Sequence, residues 1–220
     1  MEPIKRQTLH QKIYKSLKMM ILSGDIAPGT KLNETAVAKE MNTSTTPVRE
    51  AFRLLESEGF VKMEPWKGII VQEYNIEEVE SVYQCREALE ILGIELTIER
   101  LKNSDDREEA FRKIDREITL SENCGSIGRF VDINSGIHNS WIEGSGNLRL
   151  KNLMDSLNDV LLYERNLSAM DETRKKEIIA EHIAILKAVR ALDTEKAKEA
   201  LHEHIKNGLE YSVRRLKEKA

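Results

Sequence analysis

The chain has 220 residues, of which 33% are charged and 5% aromatic, and its formal net charge is −4. An apolar share of 40% is too large for a disordered chain, and the lack of any apolar run of about 18 residues argues against a transmembrane helix or a membrane partner. Two cysteines provide neither a disulfide framework nor a paired-cysteine metal motif, and the N-terminus lacks the apolar segment of a signal peptide. We therefore expect a cytoplasmic protein.

Charge is distributed unevenly along the chain. Residues 1–73 hold 11 Lys and Arg against 9 Asp and Glu, whereas residues 74–220 hold 23 against 29. We predict two domains with these bounds. The mildly basic first domain suits a nucleic-acid partner.

The first domain is predicted to contain three helices and a hairpin. Apolar residues recur at helical spacing over 9–22, and Asn33 is placed to cap a short second helix. Pro47 suits the first turn of a third helix, which ends at Gly59. Two β-type runs, "FVKME" and "IIVQE", flank the turn "PWKG". This order is typical of a winged helix-turn-helix, although a small α+β domain with no DNA role shares it.

The second domain is predicted to be an all-α helical bundle, so the fold class is mainly α. Its apolar periodicity and breaks predict six helical stretches, at about 76–102, 105–123, 127–142, 146–165, 171–191 and 193–218.

Both domains resemble one known family. The stretch "ILSGDIAPGTKLNETAVAKEMNTSTTPVREAFRLLESEGFV" is similar to the winged-helix signature of GntR-family bacterial transcription regulators. The stretches "REALE", "GIHNSWIEGSGNLRL", "EHIAILKAV" and "ALHEHI" resemble the family's FCD effector-binding domain, in its shorter six-helix subgroup. The resemblance implies a homodimer on a near-palindromic DNA operator. It also implies that a small organic acid, sometimes with a metal, controls DNA binding.

The start of the third helix carries the candidate DNA contacts. Ser44, Thr45 and Thr46 are short donors suited to phosphate oxygens, and a helix N-terminus attracts anions. Arg49 is long enough to reach a guanine edge, and the alternative is an ion pair with Glu50 or Glu56.

Further candidate contacts lie along the same helix and in the wing. Arg53 would contact phosphate or remain a surface charge. Lys67 and Gly68 match the family's basic, glycine-containing wing tip. Thr35 and Thr45 stand where relatives usually have arginines, so we expect the DNA affinity to depend less steeply on salt concentration. The slope of log K against log salt concentration should be smaller in magnitude by about 0.9 for each lost phosphate contact.

Three histidines are candidate metal ligands. Asn134 and His138 share a helix face, and with His182 and His204 they match the family's metal-site positions. Imidazole suits zinc or nickel, and no organic cofactor is expected. Asn134 stands in place of the usual Asp, so a polar pocket that binds effector without metal is the alternative. His202 points about 200° away from His204, and only the resemblance selects His204.

Arg86 interrupts an apolar stripe of the first helix of this domain. An arginine there needs a partner. Glu90, at i+4, and the carboxylate of an effector are both candidates.

Two other classes of function remain to be weighed against a regulator. Three histidine ligands that leave a coordination position of a metal open could activate water in a metal-dependent hydrolase. However, the sequence has no HExxH-type motif and no well-placed candidate for the general base. A helical scaffold would use the winged helix to bind protein. We predict a regulator and not an enzyme.

Overall fold

The computed structural model describes residues 8–23, 25–64, 68–105, 107–122 and 127–219. The chain divides into two compact units between Tyr74 and Asn75, one residue from the predicted boundary. The described residues form ten helices and three short strands, which confirms the mainly α fold class. None of these helices is both long enough and apolar enough to cross a lipid bilayer.

The N-terminal unit has the architecture predicted for a winged helix-turn-helix. Its elements are α1 (Leu9–Ser23), β1 (Lys31–Leu32), α2 (Glu34–Glu40), α3 (Thr45–Ser57), β2 (Val61–Glu64) and β3 (Gly68–Val71). β2 and β3 pair antiparallel as the predicted hairpin. β1 pairs with the other edge of β3, so the sheet has the order β1-β3-β2. β1 was not predicted, because a two-residue strand has no periodicity to detect.

Local hydrogen bonds fix the ends of α2 and α3. The Asn33 side chain accepts two backbone N–H groups from the first turn of α2, at 2.9 and 3.0 Å, as predicted. After α3, Gly59 adopts a φ of +72°, a conformation that glycine reaches without strain. The N–H groups of Gly59 and Phe60 then return to the carbonyls of Glu56 and Leu55. This Schellman arrangement confirms the predicted glycine stop.

One face of α3 forms part of the core of its unit. Its buried residues are Val48, Ala51, Phe52 and Leu55. Leu54, an apolar residue of the same helix, lies outside this buried face and is 38% exposed. The opposite face, including Arg49 and Arg53, is exposed to solvent.

The C-terminal unit is a helical bundle, with one helix more than predicted among its described residues. Its helices are α4 (Ile76–Lys102), α5 (Arg107–Glu122), α6 (Ile127–Gly144), α7 (Leu148–Asp155), α8 (Asn158–Ala169), α9 (Glu172–Arg190) and α10 (Thr194–Lys219). The predicted stretch 146–165 is two helices. Ser156 and Leu157 at the break keep right-handed helical backbone angles, so no glycine or proline marks it in the sequence. The six-helix count was wrong, and the assignment to the shorter subgroup, which rested on it, is not retained.

Helix packing in this unit brings four helices to one centre. α4 packs against α6 and α10, and α10 packs against α9. Large apolar side chains with at most 1% exposure lie around the contact, among them Ile94, Trp141, Ile185 and Leu201. A rigid apolar surround of this kind holds polar side chains at fixed positions.

Asp171 caps α9, and its replacement is expected to destabilise the unit. Its side chain accepts the backbone N–H groups of Thr173 and Arg174, each at 3.0 Å. Asp171→Ala should lower the free energy of unfolding at pH 7 by about 0.5–2 kcal/mol in urea titrations. Asp132→Ala, at an exposed position of α6, is the control and should change it by less than about 0.5 kcal/mol.

The effect of Asp171→Ala should depend on pH in a defined direction. The backbone N–H of Arg174 lowers the pKa of Asp171 in the folded chain. The contribution of the cap is therefore present above the unfolded pKa, about 3.9, and is lost as the pH falls through the lower folded value. A difference between variant and wild type that grows on acidification would contradict the capping role.

Candidate functional site

Four helices bring the predicted effector-domain residues together in one buried place. Asn134 and His138 lie on α6, His182 on α9, His204 on α10 and Arg86 on α4, and all five side chains are buried. We call His138, His182 and His204 the histidine centre. His202, by contrast, is exposed and pairs with Glu87 on α4.

The Nε2 atoms of the histidine centre converge. Nε2 of His138 lies 3.2 Å from Nε2 of His182 and 3.3 Å from Nε2 of His204. Two nitrogen ligands at about 2.1 Å on a tetrahedral ion are about 3.4 Å apart, so these separations fit a first-row transition metal. A metal site needs at least three His, Cys, Asp or Glu side chains with ligand atoms close together. In the described part of the chain these three histidines meet that condition, with ligand atoms within 4.8 Å of one another.

Two carboxylates hold the outer nitrogens of the histidine centre. Nδ1 of His138 lies 2.6 Å from Glu90, and Nδ1 of His204 lies 2.7 Å from Glu181. A carboxylate accepts hydrogen bonds, so each Nδ1 carries the proton and each Nε2 keeps a bare lone pair. Carboxylate partners of this kind orient metal-ligating histidines. Two bare lone pairs 3.3 Å apart repel each other unless a cation lies beside both.

The histidines are held in the neutral form. Burial lowers the pKa of His138 and of His182 well below the usual value, and it also lowers the pKa of His204. Neutral imidazole is the form that coordinates metals.

Glu90 is fully buried and accepts three hydrogen bonds. Its donors are Nε of Arg86 at 2.7 Å, Nδ1 of His138 at 2.6 Å and Nε1 of Trp141 at 2.9 Å. Burial alone would raise the pKa of Glu90, but His138 and Arg86 favour its anionic form more strongly and lower the pKa. Glu90 is therefore a buried anion with its oxygens satisfied.

The guanidinium of Arg86 contacts Glu90 through Nε and the histidine centre through Nη2. The ion pair with Glu90 at i+4, one of the two predicted partners, is present. Its Nη2 lies 2.9 Å from Nε2 and 3.2 Å from Nδ1 of His138, and 3.5 Å from Nε2 of His204. Near-equal distances to both nitrogens of one ring place Nη2 over the face of that ring. Nη2 is also within hydrogen-bond distance of Nε2 of His138, so an ion bound at that nitrogen would have to displace this contact.

A small polar cavity adjoins the histidine centre. Its volume is about 20 Å³, room for about one water molecule, and Arg86, Asn134, Arg165 and His204 are among its lining residues. The Oδ1 atom of Asn134 is buried with no hydrogen-bond partner in the described part of the chain. A buried amide oxygen in this state is a natural ligand for a cation or a donor.

Two polar groups at this site were missed by sequence reasoning. Arg165 is buried, donates to Ser135 at 3.2 Å, and has its pKa lowered to about 10 by burial and by the charge of Arg86. Glu181 is next to His182 in the chain but reaches His204 on the neighbouring helix, and Arg174 and Asn207 donate to it. Burial raises the pKa of Glu181, but His204 and Arg174 outweigh it and bring it to about 2. Interhelical partners of this kind leave no spacing signal in a sequence.

A larger cavity lies elsewhere in the same unit. Its volume is about 770 Å³, it lies between α4, α5, α6 and α9, and it meets the histidine centre through Trp141. The convergent buried polar groups lie at the small cavity, which makes it the candidate site.

The N-terminal unit presents the candidate DNA contacts on one end of α3. Ser44 occupies the N-cap position without forming a side-chain cap hydrogen bond, and Ser44 and Thr46 are exposed while Thr45 is half-buried. Gly68 opens β3 with a φ of +88°, which glycine alone adopts readily. Lys67 lies outside the described residues.

Arg49 has an ion-pair partner that the sequence analysis did not consider. Its guanidinium lies 2.7 Å from Glu34 at the start of α2, and not from Glu50 or Glu56, the partners of the alternative interpretation. This hydrogen bond raises the pKa of Arg49 further. Arg53 pairs loosely with Glu50 at 3.3 Å, and both side chains are more than half exposed. Arg49 is about half exposed, so a DNA base or phosphate has access to it.

Two known protein families match the chain. The family described as "Bacterial regulatory proteins, gntR family" matches residues 9–71, and the "FCD domain" matches residues 81–207. The first match lies in the N-terminal unit and the second in the C-terminal unit.

Similar proteins cover nearly the whole chain. The uncharacterized HTH-type transcriptional regulator YdhC of Bacillus subtilis (strain 168) is 30% identical over 204 residues, which are 91% of this chain and 89% of that protein. The HTH-type transcriptional repressor RspR of Escherichia coli (strain K12) is 22% identical over 212 residues, 96% and 92% of the two chains. A solved structure described with the words "Lar controls the expression of the Listeria monocytogenes agr system" superposes with a TM-score of 0.66 at 15% identity, covering 96% and 99%. At that identity the superposition shows the fold alone.

The buried pair of Arg86 and Glu90 generates a stability prediction. Glu90→Ala leaves the guanidinium without its counter-charge and should lower the free energy of unfolding by about 3–5 kcal/mol in urea titrations. The double variant with Arg86→Met should lose clearly less than the sum of the two single losses. Asp155→Ala removes one partner of the exposed pair with Lys151 and is the control, with an expected change of about 0.5 kcal/mol or less. Additive losses would show that the two charges do not depend on each other.

Proposed function

This chain belongs to the GntR family of bacterial regulatory proteins and carries an FCD domain, and we propose that a metal ion and a small carboxylate bound in that domain control its affinity for DNA. As a member of this family it is a DNA-binding transcription regulator and not an enzyme, so neither the hydrolase nor the scaffold is retained. The observation that carries the metal proposal is the convergence of Nε2 atoms in the histidine centre, with two Nδ1 atoms held by carboxylates.

The residues present fit a divalent transition metal. His138, His182 and His204 would supply three nitrogen ligands, and the buried, unpartnered Oδ1 of Asn134 would supply an oxygen. Three imidazoles with an amide oxygen suit zinc or nickel. An ion held by these residues would supply Lewis-acid chemistry toward an oxygen of the effector.

Arg86 is the proposed contact for an effector carboxylate. Its Nη2 faces the histidine centre while its Nε stays on Glu90, so the guanidinium is anchored in position before any ligand arrives. A preorganised guanidinium loses little side-chain freedom on binding an anion. A small carboxylate beside the ion would therefore meet a fixed cation.

The proposed DNA contacts lie on α3 and the wing. The N-terminus of α3 enters the major groove, where Ser44, Thr45 and Thr46 meet phosphates and Arg49 reads a base edge. Arg53 and the wing residues Lys67 and Gly68 add phosphate or minor-groove contacts. Thr35 and Thr45 donate hydrogen bonds without adding charge, so fewer cationic contacts hold the operator.

Glu34 competes with DNA for the guanidinium of Arg49. In the structure Arg49 is oriented by Glu34, so base contact requires the guanidinium to share or leave this carboxylate. The pair is solvent-exposed, and an exposed pair of this kind is weak, so a guanine edge can compete for Arg49.

We further propose that the chain acts as a homodimer on a near-palindromic operator. Two copies of α3 then meet two half-sites about one DNA turn apart. Repression is the proposed mode, and the repressor name of the similar protein RspR supports it. The effector would change the separation of the two DNA-binding units and so change operator affinity.

Arg49→Ala is expected to abolish specific binding to the DNA upstream of the protein's own gene while leaving the oligomeric state unchanged. Gel shifts and analytical ultracentrifugation measure the two properties. Arg53→Ala is the comparison, because loss of one phosphate contact should weaken binding to all sequences alike and lower the salt slope by about 1. Wild-type affinity in Arg49→Ala would remove Arg49 from the base-reading role.

His182→Ala is expected to lower the metal content of purified protein, because one of three nitrogen ligands is lost. Elemental analysis measures the content and identifies zinc or nickel. His202→Ala is the matched control, since His202 is an exposed histidine paired with Glu87, and it should leave the metal content unchanged. Equal metal in His182→Ala and wild type would reject the metal centre and favour direct binding of effector by the histidines.

A further inference from the structure

The larger cavity of the C-terminal unit has the size and the apolar walls of a ligand-binding pocket. Its volume of about 770 Å³ lies within the range of roughly 300–1,000 Å³ that is typical of small-molecule sites. Four helices supply its apolar wall, through Leu101 of α4, Ile114 of α5, Trp141 of α6, and Leu186 and Val189 of α9. Each of these side chains is at most 9% exposed, so close packing behind the wall keeps its shape.

Glu117 on α5 is a polar group of this wall that lacks a hydrogen-bond partner. Its Oε2 atom is buried, and no donor within the described part of the chain reaches it. Burial raises the pKa of Glu117, and the charge of Lys113, one turn earlier on α5, opposes this rise without forming a hydrogen bond. A buried carboxylate with an unpartnered oxygen is unfavourable, so a ligand that donates a hydrogen bond to it would gain affinity.

The charges of the wall favour a cation as that donor. Glu99 and Glu143 also line the cavity, as do Arg100 and Lys113, and with Glu117 the described lining residues hold three carboxylates against two cations. The four other charged side chains are exposed, so water screens them, whereas Glu117 is half-buried. The charge of Glu117 therefore acts most strongly on a ligand inside the cavity.

The larger cavity is separate from the histidine centre, and Trp141 connects the two. None of the three histidines, nor Asn134 or Arg86, is among the described residues that line it. Trp141 lines the cavity and donates from Nε1 to Glu90 at 2.9 Å. A ligand in the cavity would therefore avoid the candidate metal ligands and still lie beside an indole ring that can report its presence.

We propose that the larger cavity is a second ligand-binding site, specific for a small organic ammonium ion with an apolar body. The ammonium group would donate to the carboxylate of Glu117, and the apolar body would pack against Leu101, Ile114 and Leu186. A charge-assisted hydrogen bond of this kind is stronger than a neutral one. The site goes beyond the metal and carboxylate proposed for the histidine centre and does not depend on either.

The probe is 4-phenylbutylamine, which is cationic at pH 7, and its neutral counterpart is 4-phenylbutanol. In calorimetric titrations of the full chain, the amine should bind the wild type at least about tenfold more tightly than the alcohol. Equal affinities of the two compounds, or no binding of the amine, would overturn the proposal.

Glu117→Gln tests the role of the carboxylate, because it removes the charge and keeps the shape of the side chain. It should weaken binding of the amine at least about tenfold and change binding of the alcohol by less than about twofold. Glu109→Gln is the matched control, since Glu109 is an exposed carboxylate of the same helix that does not line the cavity. It should leave the affinity for the amine within about twofold. Wild-type affinity for the amine in Glu117→Gln would reject the site.

Fluorescence tests the location of the bound amine. Trp66→Phe leaves Trp141 as the sole tryptophan, and the amine should shift its emission. Ala110→Phe fills the cavity and should abolish both the shift and the binding. His182→Ala should leave the affinity for the amine within about twofold, and loss of binding there would place the amine at the histidine centre and contradict the proposal.

Thermal midpoints provide a measurement that does not depend on the heat of binding. Circular dichroism establishes that each variant is folded, and the amine should raise the midpoint of the wild type more than that of Glu117→Gln. An equal rise in both proteins would contradict the proposal.

Discussion

The buried carboxylate of Glu90 is the interaction on which the polar centre of the C-terminal unit depends. It accepts hydrogen bonds from Arg86, His138 and Trp141, which lie on two different helices, and it has no exposure to solvent. Without this anion, a buried guanidinium and two buried N–H groups would lose their partner together. Because Glu90 also holds the proton on Nδ1 of His138, it determines that Nε2 presents a lone pair to the other histidines.

Glu181 has the same role for His204 with a different environment. It is partly exposed and is itself held by Arg174 and Asn207, so its position depends on the contact of α9 with α10. The two carboxylates thus orient two of the three histidines from two different helices, α4 and α9. In the DNA-binding unit a carboxylate likewise orients a functional side chain, since Glu34 pairs with Arg49 at the surface. Solvent screens this exposed ion pair, so another anion can replace Glu34 at little cost.

The sequence was sufficient for the fold class and for the residues that repeat at helical spacing. His138 with Asn134, the cap at Asn33 and the stop at Gly59 could be predicted because local geometry determines them. The partners of Arg49 and His204 could not, since Glu34 and Glu181 reach them across a helix contact. The apolar stripe of α4 predicted that Arg86 needs a partner, but it did not indicate that Glu90 itself is fully buried, since a carboxylate is rarely buried. The break between α7 and α8 has no glycine or proline and was missed for that reason.

The central claim is that the histidine centre is a metal site. X-ray absorption at the metal edge, recorded on the purified full chain, tests it most directly. The account predicts three imidazole nitrogens at about 2.0–2.1 Å together with oxygen ligands, and loss of the imidazole signal in a His138→Ala variant. A spectrum without imidazole scattering, or one that His138→Ala leaves unchanged, would contradict it.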